Sequence, residues 1–206
     1  GNYTGFYKKE KIENIVCHRL FIQPDNSSSP FKRAFSMLSF SLSLWILLFK
    51  KKAKYYDQII IQNSPLLVSF SSIILFKKIL NKTIILNVSD LWPQSAIDLS
   101  VMKEDSIVHK IFKRIEKFNY NNSDKILGQS QYILDHISKY SKKSNYLYRN
   151  LPYNFDTKDH QILKFDKITF VYAGLLGVAQ GLLKLIRILD QLDLDFEFHI
   201  YGNGKE

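Results

Sequence analysis

The chain has 206 residues, 46% of them apolar and 23% charged, with one cysteine and a formal charge of +10 from 29 Lys plus Arg against 19 Asp plus Glu. That balance supports a buried core and excludes a disordered or collagen-like chain. The lone Cys17 excludes a disulfide framework, so a reducing compartment is expected, and a single cysteine with dispersed histidines leaves no zinc-spaced ligand set.

No apolar stretch follows a charged start, so no secretory signal is expected, and residues 1–5, Gly-Asn-Tyr-Thr-Gly, read as a loop. Residues 15–22 read as a strand. The polar loop 24–30 ends in Ser-Ser-Ser-Pro and starts a long helix. Residues 34–49 of that helix carry no charge and hold four serines. They span about 24 Å, short of the ~30 Å hydrocarbon core of a bilayer. A buried amphipathic helix is the better reading, although Trp45 and the flanking Lys32-Arg33 and Lys50-Lys51-Lys52 are what an interfacial helix needs.

Next come a strand at 56–62, a helix from Ser64-Pro65 to about Leu80 and a strand at 83–88. The run Ile59-Ile60-Ile61, without polar alternation, suits a parallel sheet covered on both faces. A helix from Ser106 to about Asn121, a strand at 125–127, a helix from Gln131 to Tyr140 and a strand at 145–148 continue the pattern, which predicts a doubly wound, Rossmann-like parallel sheet. After the polar connector 156–166 a strand at 168–173, a glycine-bearing turn, a helix at about 180–191 and a strand at 196–201 read as the first β-α-β of a second domain. So little sheet cannot close a core, and that domain reads as cut short. Residues 1–155 carry a balance of +12 and residues 156–206 one of −2, so the basic charge belongs to the first domain. It could meet an anionic membrane, a phosphorylated substrate or nucleic acid, or serve only as a solvated exterior.

Several residues stand where chemistry is usually placed. Asp90 follows the strand 83–88 at its carboxyl end, where open α/β sheets hold ligands, and Pro93 fixes the loop after it. A carboxylate there can accept from a sugar hydroxyl or act with a general base; its plain alternative is a helix cap before residues 94–99. Trp92 can stack on a sugar face or pack as ordinary core. Ser130 can face a cleft while capping the helix that follows. Gly174 and Gly177 follow a strand and let backbone amides approach a diphosphate, with a helix N-terminus behind them.

Taken together, Asp90-Leu91-Trp92-Pro93-Gln94-Ser95, Gln129-Ser130, Arg149-Asn150-Leu151-Pro152 and Tyr172-Ala173-Gly174-Leu175-Leu176-Gly177 with Ala179-Gln180-Gly181-Leu182 resemble family 4 glycosyltransferases of the two-Rossmann-domain (GT-B) fold, in the branch that builds bacterial capsule and O-antigen polysaccharide. The resemblance implies an acceptor-side domain over 1–153 that lacks its first unit, and the start of a nucleotide-sugar-binding domain over 154–206. It implies a catalytic Asp90, substrate contacts from Trp92, Ser130 and Asn150, and donor contacts from Gly174, Gly177, Gln180 and Gly181. The implied reaction is retaining sugar transfer from a nucleotide-diphosphate sugar to a polyprenyl-diphosphate-linked acceptor, without a bound metal or resident cofactor. Its implied partners are the nucleotide sugar, the lipid-linked acceptor and an anionic membrane surface, not nucleic acid. Its implied place is cytoplasmic and peripheral, at the inner face of the cell membrane. The chain departs from the family at Leu175 and Gln180, where many relatives carry arginine and lysine, and at Ser89, where many carry histidine. The acidic donor-site motif and the first strand-turn are not in the sequence, so the 206 residues alone are expected to be inactive. Two other readings stand beside this one: a nucleotide-sugar epimerase of the same fold, and a non-catalytic basic module that binds membrane or nucleic acid.

Overall fold

The computed structural model describes residues 5–24, 30–49, 55–151, 166–177 and 180–204. Expectations on residues 1–4, the loop 25–29, Lys50–Lys52, Pro152, the connector 156–165, Ala179 and residues 205–206 lie outside the described residues. The chain divides into two compact units, Gly1–Asn150 and Leu151–Glu206.

The first unit opens with an antiparallel hairpin, β1 (Tyr7–Ile12) and β2 (Ile15–Leu20), which forms a sheet of its own. Only β2 is legible in the sequence. In β1, Tyr-Lys-Lys-Glu-Lys-Ile offers two apolar residues in six, so it exists through pairing rather than burial. Glu13, at φ 52°, turns the chain between the strands, and Lys8 and Arg19 both hold the Glu10 carboxylate. Those hydrogen bonds, from Lys8 and then Arg19, keep the Glu10 carboxyl below its ordinary range.

The long apolar helix forms as two pieces, α1 (Pro30–Ser43) and α2 (Ile46–Phe49). At the break the Trp45 amide donates to the Leu42 carbonyl (3.1 Å), and the indole Nε1–H donates inward to Ser71 Oγ (3.1 Å). Among the described residues no helix is long and apolar enough to cross a membrane.

Four parallel strands follow: β3 (Gln58–Gln62), β4 (Thr83–Val88), β5 (Lys125–Gly128) and β6 (Asn145–Leu147), side by side in that order. Their connections are helical. The chain passes through α3 (Leu66–Ile73), which runs on into a wider π-helical segment at Ile74–Ile79, then α4 (Gln94–Asp98), α5 (Ile107–Asn122) and α6 (Gln131–Ser138). Both long connecting helices start as the sequence predicts: Ser106 Oγ accepts from the His109 amide and Ser130 Oγ from the Ile133 amide. The result is a mixed α/β domain with a helix-flanked, Rossmann-like parallel sheet.

Right-handed crossovers in this unreversed order send the connecting helices to one face, and burial agrees. Ile84, Leu86, Val88 and Ile126 are fully buried, and Ile61 is nearly so. On the opposite face Ile60, beside Ile85 in register, is 70% exposed and Tyr146, beside Leu127, is 50% exposed. The expectation that Ile59-Ile60-Ile61 is covered on both faces is therefore met on one face among the described residues. The reversal of strand order that a doubly wound sheet requires is likewise not among them.

The second unit places β7 (Ile168–Ala173) parallel to β8 (Phe196–Tyr201), joined through α7 (Leu182–Leu189). Among its described residues only Leu182 is buried, and Val171, Leu183, Ile188 and Tyr201 are each at least half exposed. Two strands and one short helix bring too few apolar groups together to exclude water.

Candidate functional site

Strands β4 and β5 end beside each other, and the chain leaving each carries a polar residue: Ser89-Asp90 after β4 and Gln129-Ser130 after β5. The Gln129 amide donates to the Val88 carbonyl (3.2 Å), which holds the two exits in register. Between them lies an open cleft of about 210 Å³, lined by Ser89, Asp90, Gln94, Asp98, Ser130 and Tyr132 among others. Asp90 and Ser130, singled out separately in the sequence, thus face one space.

Asp90 is exposed. The position that would have used it as a cap is occupied by Pro93, the N-cap of α4, where no side chain supplies a cap bond. Its carboxylate is approached instead by the Ser89 hydroxyl, 3.5 Å from Oδ2. Ser89 is itself set by a chain that crosses the sheet. Asn87 Nδ2–H donates to Gln62 Oε1 (2.8 Å), and Gln62 Nε2–H donates to Ser89 Oγ (2.7 Å). With its oxygen accepting from Gln62, the Ser89 hydroxyl hydrogen is free to point at Asp90. Ser89 therefore gives Asp90 a neutral donor where a histidine would have given a titratable one.

Ser130 spends part of its hydrogen-bonding capacity on the Ile133 amide (3.3 Å), and its hydroxyl hydrogen remains available to the cleft. Opposite, Gln94 donates to Asp98 Oδ1 (2.9 Å) and so fixes the second carboxylate of the lining. Tyr132, in the first turn of α6, is 71% exposed and presents a ring at the rim. Among the described residues no lysine or arginine lines the cleft. Two carboxylates, hydroxyls and an exposed ring suit a neutral polyhydroxylated ligand, whose O–H groups donate to carboxylates and whose C–H face packs on an aromatic; they disfavour an anion.

Trp92 is not in the lining. Its ring packs edge-on against Phe112 (centroids 5.6 Å apart, 70° between planes), which is the packing alternative raised by its apolar neighbours. Asn150 is exposed at the last position of the first unit and also lies outside the lining. Gln62, Asp98 and Tyr132 are functional candidates that the sequence alone does not single out. Gln62 had one signal, its place at the carboxyl end of β3, the same station that drew attention to Asp90.

In the second unit the glycine turn leads from β7 into α7. The Gly174 amide donates to the Tyr201 carbonyl (2.9 Å) and the Leu176 amide to the Asn203 carbonyl (3.1 Å), so both extend the pairing with β8. The Tyr172 hydroxyl donates to the Leu175 carbonyl (2.7 Å) and braces the turn. Gln180 donates its amide to the Gly177 carbonyl (2.9 Å), and Gly181 is the N-cap of α7 at φ 63°, a left-handed position that favours glycine. Gly177, Gln180 and Gly181 are thus together at a helix N-terminus, while the Gly174 amide is already engaged. Among the described residues no group of three or more His, Cys, Asp and Glu is placed to hold a metal ion. No protein-family model matches the chain, and no curated protein matches it.

Proposed function

We propose that the chain is part of a GT-B glycosyltransferase that moves a sugar from a nucleotide-diphosphate donor to a lipid-linked sugar acceptor in bacterial surface-polysaccharide assembly. The observation that carries this reading is the Asp90 carboxylate: exposed at the carboxyl end of β4, unused as a cap, and facing the Ser130 hydroxyl across a cleft that no cation lines among the described residues. In the proposed role Asp90 accepts a hydrogen bond from the attacking hydroxyl of the acceptor sugar and aims its oxygen, while Ser89 holds the carboxylate in place. Tyr132 supplies the ring on which the sugar face rests. Gly177, Gln180, Gly181 and the N-terminus of α7 would receive the donor, through backbone amides and helix dipole. The lack of cations among the described residues of the Asp90 cleft fits a division in which that cleft takes the neutral acceptor sugar and the diphosphate lies elsewhere.

The test is transfer by the full-length gene product from a panel of nucleotide sugars to a polyprenyl-diphosphate-linked sugar, followed by the mass of the lipid product. Transfer that falls at least about a hundredfold in Asp90→Asn, with the circular dichroism spectrum unchanged, supports the assignment. Absence of transfer across the panel, or full activity in Asp90→Asn, overturns it.

A further inference from the structure

Gln62, Asn87 and Ser89 share one face of the sheet. Asn87 stands beside Gln62 in the register of β3 and β4, and Ser89, two residues on, falls on the same side by strand alternation. This is the face turned away from the connecting helices, where Ile60 is exposed. Three links lead from it to the cleft. Asn87 donates to Gln62 (2.8 Å), Gln62 donates to Ser89 (2.7 Å), and the Ser89 hydroxyl reaches Asp90 Oδ2 (3.5 Å). Every donor points toward Asp90.

Asp90 is what sets that direction. A carboxylate only accepts, whereas a side-chain amide can be turned end for end. With both amides reversed, Gln62 would donate to Asn87 and accept from Ser89. Two links would survive, but the hydroxyl hydrogen would leave Asp90. Either way one Asn87 side-chain atom lacks a partner among the described residues, as the buried Oδ1 does here, so the third link decides. That link is the long one, while the two behind it are short, so the carboxylate is guided without being used up. Among the described residues no hydrogen bond reaches Asp90 Oδ1, which leaves it to the cleft.

We infer that Gln62 is a positioning residue for the attacking hydroxyl: through Ser89 it keeps a neutral hydrogen bond on Asp90 Oδ2 and leaves Oδ1 to accept from the acceptor sugar. This role rests on the sugar-transfer reading. None of Asn87, Gln62 and Ser89 titrates, so the alignment holds across the pH range in which a histidine at position 89 would change its charge. The other titratable side chains that line the cleft among the described residues are Asp98 of α4 and Tyr132 of α6, and neither belongs to the relay.

Gln62→Glu tests the direction of the relay with almost no change of shape. The introduced carboxylate still accepts from Asn87 but now also accepts from Ser89, and so draws the hydroxyl hydrogen away from Asp90. In the full-length gene product kcat at pH 8 is expected to fall about tenfold, with KM for the lipid-linked acceptor within about twofold of wild type. The deficit is expected to narrow toward pH 5.5, because a carboxyl beside Asp90 takes up its proton early and then donates to Ser89 as the amide did. Ser89→Ala is expected to lose a similar factor with no such recovery, and adding Gln62→Glu to it should cost little more. A readout without substrate separates this inference from the sugar-transfer reading. In the 206-residue chain the Gln62 side-chain amide signals are expected to shift over the acid range in which carboxylates take up protons, about pH 6 to pH 3, and to lose that response in Asp90→Asn and in Ser89→Ala. Wild-type kcat in Gln62→Glu, a deficit equal at pH 8 and pH 5.5, or Gln62 signals that ignore Asp90 overturns the inference. Coupled Gln62 signals in a protein that transfers no sugar would support the hold on Asp90 and overturn the sugar-transfer reading alone.

Discussion

Asp124 shows how one side chain ties three elements. Its carboxylate accepts from Lys77 Nζ at 2.6 and 2.8 Å and from the Ile84 amide at 2.7 Å, so the π-helical segment, the start of β4 and the turn into β5 share one anion. Burial alone would raise this carboxyl, but the Ile84 amide and the Lys77 ammonium outweigh it and hold it below its ordinary range. A carboxyl lowered in the folded state stabilises the fold above its unfolded value, near pH 4, and that contribution is lost as pH falls through the folded value. Asp124→Asn is therefore expected to cost about 1–2 kcal/mol at neutral pH, discounted for partial exposure. The gap to wild type should close below about pH 4. Urea midpoints at pH 7 and pH 3 check this, and a gap that stays constant between them sinks the account. Asp90, by contrast, spends almost nothing on the fold, which is what marks it among the aspartates as a candidate for binding.

At the scale of elements, α5 and α6 are joined by a buried polar knot rather than by apolar packing alone. Glu116 is fully buried; its Oε1 accepts from the Tyr120 hydroxyl (3.1 Å) and lies 2.8 Å from His136 Nε2. Burial, with the Glu116 carboxylate alongside, pushes the Tyr120 phenol far above its ordinary value, so it stays a donor at any pH the fold survives. Glu116→Ala orphans both partners at about 1–3 kcal/mol each, whereas Glu116→Gln keeps an acceptor oxygen and should cost clearly less. Chemical denaturation orders the two variants, and equal losses would mean that volume rather than hydrogen bonding decides. How legible the elements were follows the same physics. Thr83–Val88, Ile168–Ala173 and Phe196–Tyr201 match their predicted bounds because β-branched and aromatic runs state their own burial. The strand Tyr7–Ile12 escaped because its residues do not alternate and only pairing with Ile15–Leu20 makes it a strand. In α1 the serine spacing is present in the sequence, but that it forms a ladder depends on residues 21–23 lying against it. The cleft was half legible for the same reason. Asp90 and Ser130 follow predicted strands, whereas the Gln62–Ser89 bond joins residues 27 apart and has no local signature.

Across the whole molecule, charge and apolar burial are distributed unevenly, and the two units are expected to behave differently when separated. The first contains the fully buried residues Ile73, Leu75, Ile84, Leu86, Val88, Tyr120, Ile126 and Ile137 in one cluster, enough apolar surface removed from water to support a cooperative core. The second has, among its described residues, a single buried side chain, Leu182, although its strands pair along their full length from Ile168↔Phe196 to Ala173↔Tyr201. Backbone pairing between two strands does not offset the conformational entropy of ordering them, because each exposed apolar side chain contributes little to the balance. Residues 1–150 alone are therefore expected to unfold in one sigmoidal thermal transition, while residues 151–206 alone show the spectrum of an unfolded chain with no transition. Proton–nitrogen correlation spectra of the two fragments decide the matter. Dispersed amide signals from 151–206 in isolation would show that two strands and one helix suffice, and would remove the argument that apolar burial, rather than strand pairing, is what this unit lacks.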